Sequence, residues 1–132
     1  MLGDYSFLSL SEAVSLHAIV VHHYGGATEL IDRGKLDAAL AAPMATFEGR
    51  LLNSSVEDLT AAYWHGVCQA HAFLDGNKRL AFLCAFAFLQ KNGLDWTVTT
   101  RQAESVTMRI AKGRATKADV AKFLAGKILS RC

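Results

Sequence analysis

The spacing of apolar residues and of helix-capping residues predicts a chain that is helical almost throughout. Ser9 and Glu12 form a capping box before a first helix, and the Gly25-Gly26 pair supplies its left-handed stop. Asp32 is expected to cap a short second helix. Pro43 ends that helix, because the residue before a proline is disfavoured in the α region.

The middle of the chain carries the two most apolar helical segments. Ser54 and Glu57 are expected to cap a third helix over residues 56–72, which has one continuous apolar stripe. Residues 78–91 are apolar on nearly every face and are followed by Asn92-Gly93, a stop signal. This pattern predicts a central helix that its neighbours cover.

Two further capping boxes predict the last two helices. Thr99 with Gln102 precedes one helix, and Thr116 with Asp119 precedes the other. The final helix is expected to run to about residue 129. Six helices are therefore predicted in all.

Residues 44–52 interrupt this helical pattern. They contain Gly49 and alternating bulky positions without a helical period, so an extended flap is expected there. A second brief extended stretch is expected at residues 95–98. The predicted fold is an all-α, compact six-helix domain with one short extended flap, and residues 1–132 are expected to form that single domain.

The composition agrees with a single folded domain that has one compact core. The chain has 132 residues, of which 52% are hydrophobic, and a single proline, which excludes disorder. Its longest apolar run has ten residues, about half of a membrane-spanning helix. No secretory signal is visible, so a cytoplasmic location is expected. Cys68, Cys84 and Cys132 lie too far apart for a disulfide framework or a metal-ligand motif.

Charge is unevenly distributed along the chain. Residues 1–70 contain 3 Lys and Arg against 8 Asp and Glu, whereas residues 71–132 contain 11 against 4. A basic half of this kind can bind nucleic acid, the phosphates of a nucleotide or an acidic protein partner. Charge alone does not choose among these ligands.

The run HAFLDGNKRLAF, residues 71–82, concentrates the candidate chemistry. His71 ends the third helix, and Asp75 lies in the connection to the central helix. Unpaired backbone N–H groups and the positive end of the helix dipole bind anions at a helix start, and glycine lets a phosphate approach closely. The candidate phosphate-binding residues at that start are Gly76, Asn77, Lys78 and Arg79.

Asp75 and His71 add two further functions to this phosphate site. A carboxylate beside bound phosphates is a typical magnesium ligand, and a histidine exchanges protons near neutral pH. The combination indicates nucleotide-dependent phosphoryl or nucleotidyl transfer. In the alternative interpretation Asp75 is only a helix cap, His71 only balances a helix dipole, and Gly76 and Asn77 are turn residues. The presence of all these groups within nine residues favours the functional interpretation.

The run HAFLDGNKR resembles the signature of the Fic/Doc superfamily: His, any residue, Phe, any residue, Asp or Glu, Gly, Asn, Gly or Lys, Arg. Four other stretches resemble its death-on-curing (Doc) toxin branch: HHYGG, DRGKLDAALAAP, FLQKNG and AKGRATKADVAKFL. The resemblance implies a six-helix fold with a target-binding flap. It also implies a protein substrate that is modified on a hydroxyl with ATP and magnesium.

Two residues distinguish the chain from the AMP-transferring members of that superfamily. Lys78 stands where those enzymes have glycine, and Phe82 stands where they have a second arginine. The resemblance then implies that the nucleotide binds in the opposite orientation, with its γ-phosphate facing the target. The implied activity is a protein kinase that acts on a threonine of elongation factor Tu and arrests translation and growth. His71 would be the general base, Asp75 the magnesium ligand, and residues 76–79 the phosphate site.

The resemblance also implies partners. A Doc toxin of a type II toxin–antitoxin system is restrained by a Phd-like antitoxin, whose C-terminal helix binds a groove on the toxin. An internal inhibitory motif is absent, since the nearest match, Thr100 to Glu104, is followed by Ser105. Direct DNA binding is not expected except through the antitoxin. The alternatives are an AMP or other nucleotidyl transferase on the same fold and a non-catalytic, antitoxin-binding co-repressor module.

The remaining expectations concern single side chains. The flap is expected to pair with a target strand through its exposed edge. His17 is expected to be a hydrogen-bonded core residue, and Phe73 a wedge that fixes the loop. Trp64 and Trp96 are expected to pack in the core or at its edge. The flap residues are Met44, Ala45, Thr46, Phe47, Glu48, Gly49, Arg50 and Leu51.

Overall fold

The computed structural model describes residues 5–53 and 55–131. Within them the six predicted α-helices are present and mostly match the predicted positions, which confirms the mostly helical fold. The helices are α1 (Leu10–Tyr24), α2 (Arg33–Ala41), α3 (Val56–Ala70), α4 (Asn77–Lys91), α5 (Thr100–Ala111) and α6 (Lys117–Leu124). A 3₁₀ helix, Ala42–Met44, follows α2 directly and contains Pro43.

Two small antiparallel sheets accompany the helices. One is the expected flap, a hairpin of β1 (Thr46–Phe47) and β2 (Arg50–Leu51). Met44, predicted to belong to the flap, lies instead in the 3₁₀ helix with Pro43. The other pairs β3 (Leu94–Trp96) with β4 (Ile128–Ser130). Each sheet has two strands, so neither forms a layer of the core.

Side-chain caps begin most of the helices, as the sequence predicts. The three capping boxes are present, and the Asp32 carboxylate accepts a hydrogen bond from the Lys35 N–H at 3.0 Å. The third helix is different: Ser55 caps it, and its hydroxyl accepts from the Asp58 N–H at 3.0 Å. The predicted cap Ser54 lies outside the described residues. The first helical residue is Val56, so the cap belongs one position later than predicted.

The predicted end of the last helix is wrong. Helix α6 ends at Leu124, and Gly126 then takes a left-handed φ of +77°. This turn sends residues 128–130 back along β3, where Trp96 pairs with Ile128. The backbone groups of β3 need a partner, and the end of the chain provides it.

The core is centred on α3 and α4. Helix α3 packs against α2, α4, α5 and α6, while α4 also contacts α1, α5 and β3. The expected central position of α4 is thus shared with α3, which buries nine of its fifteen residues. Along α4 the buried positions are Leu80, Ala81, Cys84, Ala85, Phe88 and Leu89, while Phe82, Leu83, Phe86 and Ala87 stay half-buried.

Trp64 of α3 occupies the middle of this core. Its side chain is fully buried, and its ring packs against Trp96 with a centroid distance of 5.2 Å. The indole Nε1–H donates to the Thr107 hydroxyl of α5 at 2.8 Å, and that hydroxyl donates to the Ala103 carbonyl. The expected packing roles of both tryptophans are confirmed.

The described cysteines are buried thiols. Cys68 and Cys84 are not bonded to each other, and burial raises the pKa of the Cys84 thiol to about 12. The third cysteine, Cys132, is outside the described residues. Within residues 5–53 and 55–131, every helix is too short or too polar to cross a lipid bilayer.

We expect Thr107→Val to destabilise the fold. Valine keeps the shape of threonine but leaves the buried Trp64 N–H without its acceptor, which costs about 1–3 kcal/mol. Denaturant unfolding measures this loss. Ser105→Ala, on the exposed side of the same helix, is the matched control and should change stability little. Equal stabilities of the two variants would contradict the role given to this hydrogen bond.

Candidate active site

The loop between α3 and α4 begins with a left-handed residue. His71 is the C-cap of α3, with φ +47° and ψ +43°, and its side chain is exposed. This conformation costs a non-glycine residue about 1–2 kcal/mol. The next residues offset the cost: the Ala72 carbonyl accepts from the N–H groups of Ile31 and Asp32 at 2.8 and 3.0 Å.

His17, a buried residue of α1, packs against this loop and supports it. The rings of His17 and Phe73 stack with centroids 3.6 Å apart, and both side chains are almost completely buried. His17 Nε2 lies 2.6 Å from the Asp75 carbonyl oxygen. Because a carbonyl only accepts, Nε2 carries the proton and donates it. The expected core role of His17 and the expected wedge role of Phe73 are both confirmed.

The side chain of Asn77 closes the loop. Its Nδ2 donates to the Phe73 carbonyl at 2.7 Å, and its Oδ1 accepts from the Phe73 N–H at 3.0 Å. These two bonds engage the amide, so Asn77 presents its backbone N–H, rather than its side chain, at the start of α4. The predicted phosphate-binding residue is also the residue that fixes the loop.

The start of α4 differs from the other helix starts in the described chain. Its N-cap is Gly76, with φ +82° and no capping side chain, whereas α1, α2, α3, α5 and α6 each begin with a side-chain cap. The first bond of α4 runs from the Leu80 N–H to the Gly76 carbonyl at 2.9 Å. Within the described residues, the N–H groups of residues 77–79 have no protein acceptor. They are free to bind an anion.

Gly76 is favoured by its left-handed backbone angle and by the tight space around it. A Cβ at this position would lie 3.3 Å from both His17 Nε2 and Val20 Cγ1. The first turn of α4 thus sits directly on α1.

A cleft of about 340 Å³ brings together all the residues predicted for the phosphate, metal and base positions. Lys78 and Arg79 are exposed there, and no carboxylate of the described residues lies within ion-pair distance of either side chain. Their positive charges are therefore available to a ligand. The lining residues are His71, Leu74, Asp75, Gly76, Asn77, Lys78 and Arg79.

The Asp75 carboxylate is held at one oxygen and open at the other. Oδ2 accepts from the Ala27 N–H at 2.8 Å, and no hydrogen bond to Oδ1 is made by the described residues. Those residues contain no cluster of three potential protein ligands for a metal. A single fixed carboxylate fits magnesium, which is commonly held by one or two carboxylates together with substrate phosphates.

Comparison with known proteins gives the family. Residues 7–89 match the model of the Fic/DOC family. The chain belongs to this family. It is 34% identical over 105 residues to a protein named Toxin Doc from Mycolicibacterium smegmatis, covering 78% of this chain and 81% of that protein. It is 28% identical over 120 residues to Protein kinase doc of Escherichia phage P1, covering 89% and 91%.

The region that matches the Fic/DOC family includes contacts that the sequence analysis missed. Tyr24, the last residue of α1, and Ala27, just beyond it, contact two residues that line the cleft. The Arg79 guanidinium lies over the Tyr24 ring, 3.9 Å from its centroid, and the Ala27 N–H binds the Asp75 carboxylate. A Cβ on Gly26, where φ is +113°, would come within 3.0 Å of Asp75 Cβ. In the sequence the signal for these contacts is the run YGGA, whose glycines predict a helix stop and whose first three residues belong to the Doc-like stretch HHYGG.

The flap is a narrow hairpin whose two strands pair with each other. Glu48 and Gly49 have φ values of +51° and +80°, as the tight turn of a two-residue hairpin requires. Phe47 at its tip is 66% exposed. A hollow on the flap is lined by residues 47, 48 and 50–52 and shares no residue with the His71 cleft. Binding of a target strand to the flap remains a prediction.

We expect Gly26→Ala to displace the Asp75 carboxylate, because the added methyl group would press on Asp75 Cβ. The Ala27 amide should then lose its acceptor and exchange its proton faster, which hydrogen exchange measured by NMR detects. Gly25→Ala is the matched control: this glycine also has a positive φ, but its Cβ would meet nothing within 4 Å. Equal exchange rates at Ala27 in the two variants would contradict the contact.

Proposed function

We propose that this chain is the toxin of a type II toxin–antitoxin pair and acts as a protein kinase. It transfers the γ-phosphate of ATP to a hydroxyl of a translation factor, with a threonine of elongation factor Tu as the proposed target, and so arrests translation. The observation that carries the proposal is one cleft in which exposed His71 and Asp75 lie beside the uncapped start of α4. The basic side chains of Lys78 and Arg79 line the same cleft. The names of the two relatives, Toxin Doc and Protein kinase doc, support it.

The start of α4 binds the phosphates in this proposal. Three free N–H groups and the positive end of the helix dipole favour negative charge. Lys78 adds a compact point charge, and Arg79 adds a planar fork that matches two phosphate oxygens. Both side chains reach the ligand without first giving up a carboxylate partner.

His71 is the proposed general base. The target hydroxyl oxygen forms a bond to the γ-phosphorus, the bond from that phosphorus to the bridging oxygen breaks, and ADP leaves with the electron pair. His71 accepts the proton that the hydroxyl loses. Its side chain is exposed at the edge of the cleft, where a second protein can reach it.

Asp75 is the proposed magnesium ligand. The Ala27 N–H fixes the carboxylate through Oδ2, and the Asp75 side chain lines the cleft. When bound there, magnesium neutralises charge on the phosphates of the nucleotide.

A second cleft supports transfer of the γ-phosphate rather than of AMP. It has a volume of about 180 Å³ and shares Lys78 and Arg79 with the first cleft, while Phe82 and Met108 give it an apolar wall. The apolar side chains of Phe82 and Met108 suit the nucleoside end of a nucleotide, and the Glu104 carboxylate that also lines this cleft would repel a terminal phosphate. The γ-phosphate then lies on the His71 side.

A Phd-like antitoxin is the proposed restraining partner. Its C-terminal segment folds as an amphipathic helix in a groove on this domain. The basic second half of the chain would speed association with an acidic segment. Co-expression with the neighbouring open reading frame, followed by growth assay and copurification, tests this partner.

The direction of transfer is tested with ATP labelled at the α or at the γ position, incubated with the protein and a translation extract. We expect label on protein from the γ position only. Label from the α position only would replace the kinase by a nucleotidyl transferase. Absence of label from both positions, with a small partner that copurifies, would favour the non-catalytic co-repressor module.

We expect His71→Ala to lower the rate of phosphate transfer by about two to four powers of ten, the usual contribution of a general base. The variant should keep its helical content and thermal stability, because His71 is exposed. His22→Ala removes an exposed histidine that does not line the cleft and should transfer phosphate normally. Normal transfer by His71→Ala would exclude His71 as the base.

A further inference from the structure

Tyr24 is an exposed aromatic residue with an occupied ring face. Its side chain is 63% exposed at the last position of α1, so it contributes little to the core. One face of the ring carries the Arg79 guanidinium, with Cζ 3.9 Å from the ring centroid. This distance is that of a cation–π contact.

We propose that Tyr24 is a positioning residue that holds the Arg79 guanidinium at the phosphate cleft. The inference rests on the proposed function, in which Arg79 binds phosphate. Tyr24 itself does not line the cleft and acts only through Arg79.

Arg79 needs such support because little else fixes its side chain. Within the described residues its guanidinium makes no ion pair, and its contact with Tyr24 is the one that holds it. A free arginine side chain has many rotamers, and a ligand must immobilise them on binding. A guanidinium that already lies on a ring loses less freedom when a phosphate binds it.

While it is stacked on Tyr24, Arg79 still lines the phosphate cleft. In this conformation Arg79 lines both the cleft with His71 and the adjoining cleft with Phe82. Arg79 can therefore stack on Tyr24 and line the clefts at the same time. This favours a positioning role over a contact that would have to break before Arg79 could bind a ligand. The loop that follows α1 holds the Asp75 carboxylate through the Ala27 N–H, so residues 24–27 contact both Arg79 and Asp75.

The test compares Tyr24→Ala, Tyr24→Phe and Ile19→Ala, the last being an exposed apolar residue of α1 outside the clefts. The readouts are the dissociation constant of inorganic tripolyphosphate with magnesium, and KM and kcat for ATP. Tyr24→Ala should weaken tripolyphosphate binding and raise KM about two- to fivefold, the usual range of an exposed cation–π contact. Tyr24→Phe keeps the ring face and should behave as the wild type, as should Ile19→Ala.

A double-mutant cycle decides whether Tyr24 acts through Arg79. In an Arg79→Ala background, Tyr24→Ala should weaken tripolyphosphate binding no further. An equal loss in both backgrounds, an unchanged constant for Tyr24→Ala, or tighter binding would overturn the inference.

The same measurements distinguish a failure of the kinase proposal from a failure of the role proposed for Tyr24. Wild-type protein that binds tripolyphosphate but transfers no label from ATP would remove the kinase proposal, and the binding constants would still decide the role of Tyr24. Wild-type protein that binds no tripolyphosphate would overturn both proposals.

Discussion

The hydrogen bond from His17 Nε2 to the Asp75 carbonyl is the contact on which the candidate site depends. It joins the core face of α1 to the loop that precedes α4, and the buried His17 ring that donates it is stacked on the Phe73 ring. A buried polar group left unpaired is costly, so this bond strongly favours one loop conformation. The positions of His71, Asp75 and the start of α4 follow from that conformation.

The site divides its residues between support and chemistry. The supporting groups are buried or engaged: His17 and Phe73 lie below the loop, and the Asn77 amide binds the Phe73 backbone. The candidate chemical groups, among them His71 and Lys78, remain exposed in the cleft. The backbone of a loop held in this way has little conformational freedom left to lose when a ligand binds to its exposed side chains.

Helix positions were predictable because capping is a local interaction between residues three apart. The Ser9, Thr99 and Thr116 caps occur where the sequence places them. The end of α6 was predicted too late, because the strand Ile128–Ser130 exists only by pairing with β3, more than thirty residues away. Strand pairing over such a separation leaves little local trace. Tyr24 and Ala27 were missed at the site for the same reason, since their contacts to Arg79 and Asp75 join distant segments.

The sequence by itself determined the chemical groups of the candidate site and their order: a histidine, a carboxylate, a glycine and two basic side chains within nine residues. It also determined that these groups span a helix end and a helix start. Only the tertiary structure decided which of them are free. The Asn77 amide is occupied, one Asp75 oxygen is bound, and Arg79 rests on Tyr24, because packing of α1 against the loop brings these partners together. Such partners are set by packing in space, which spacing along the chain does not encode.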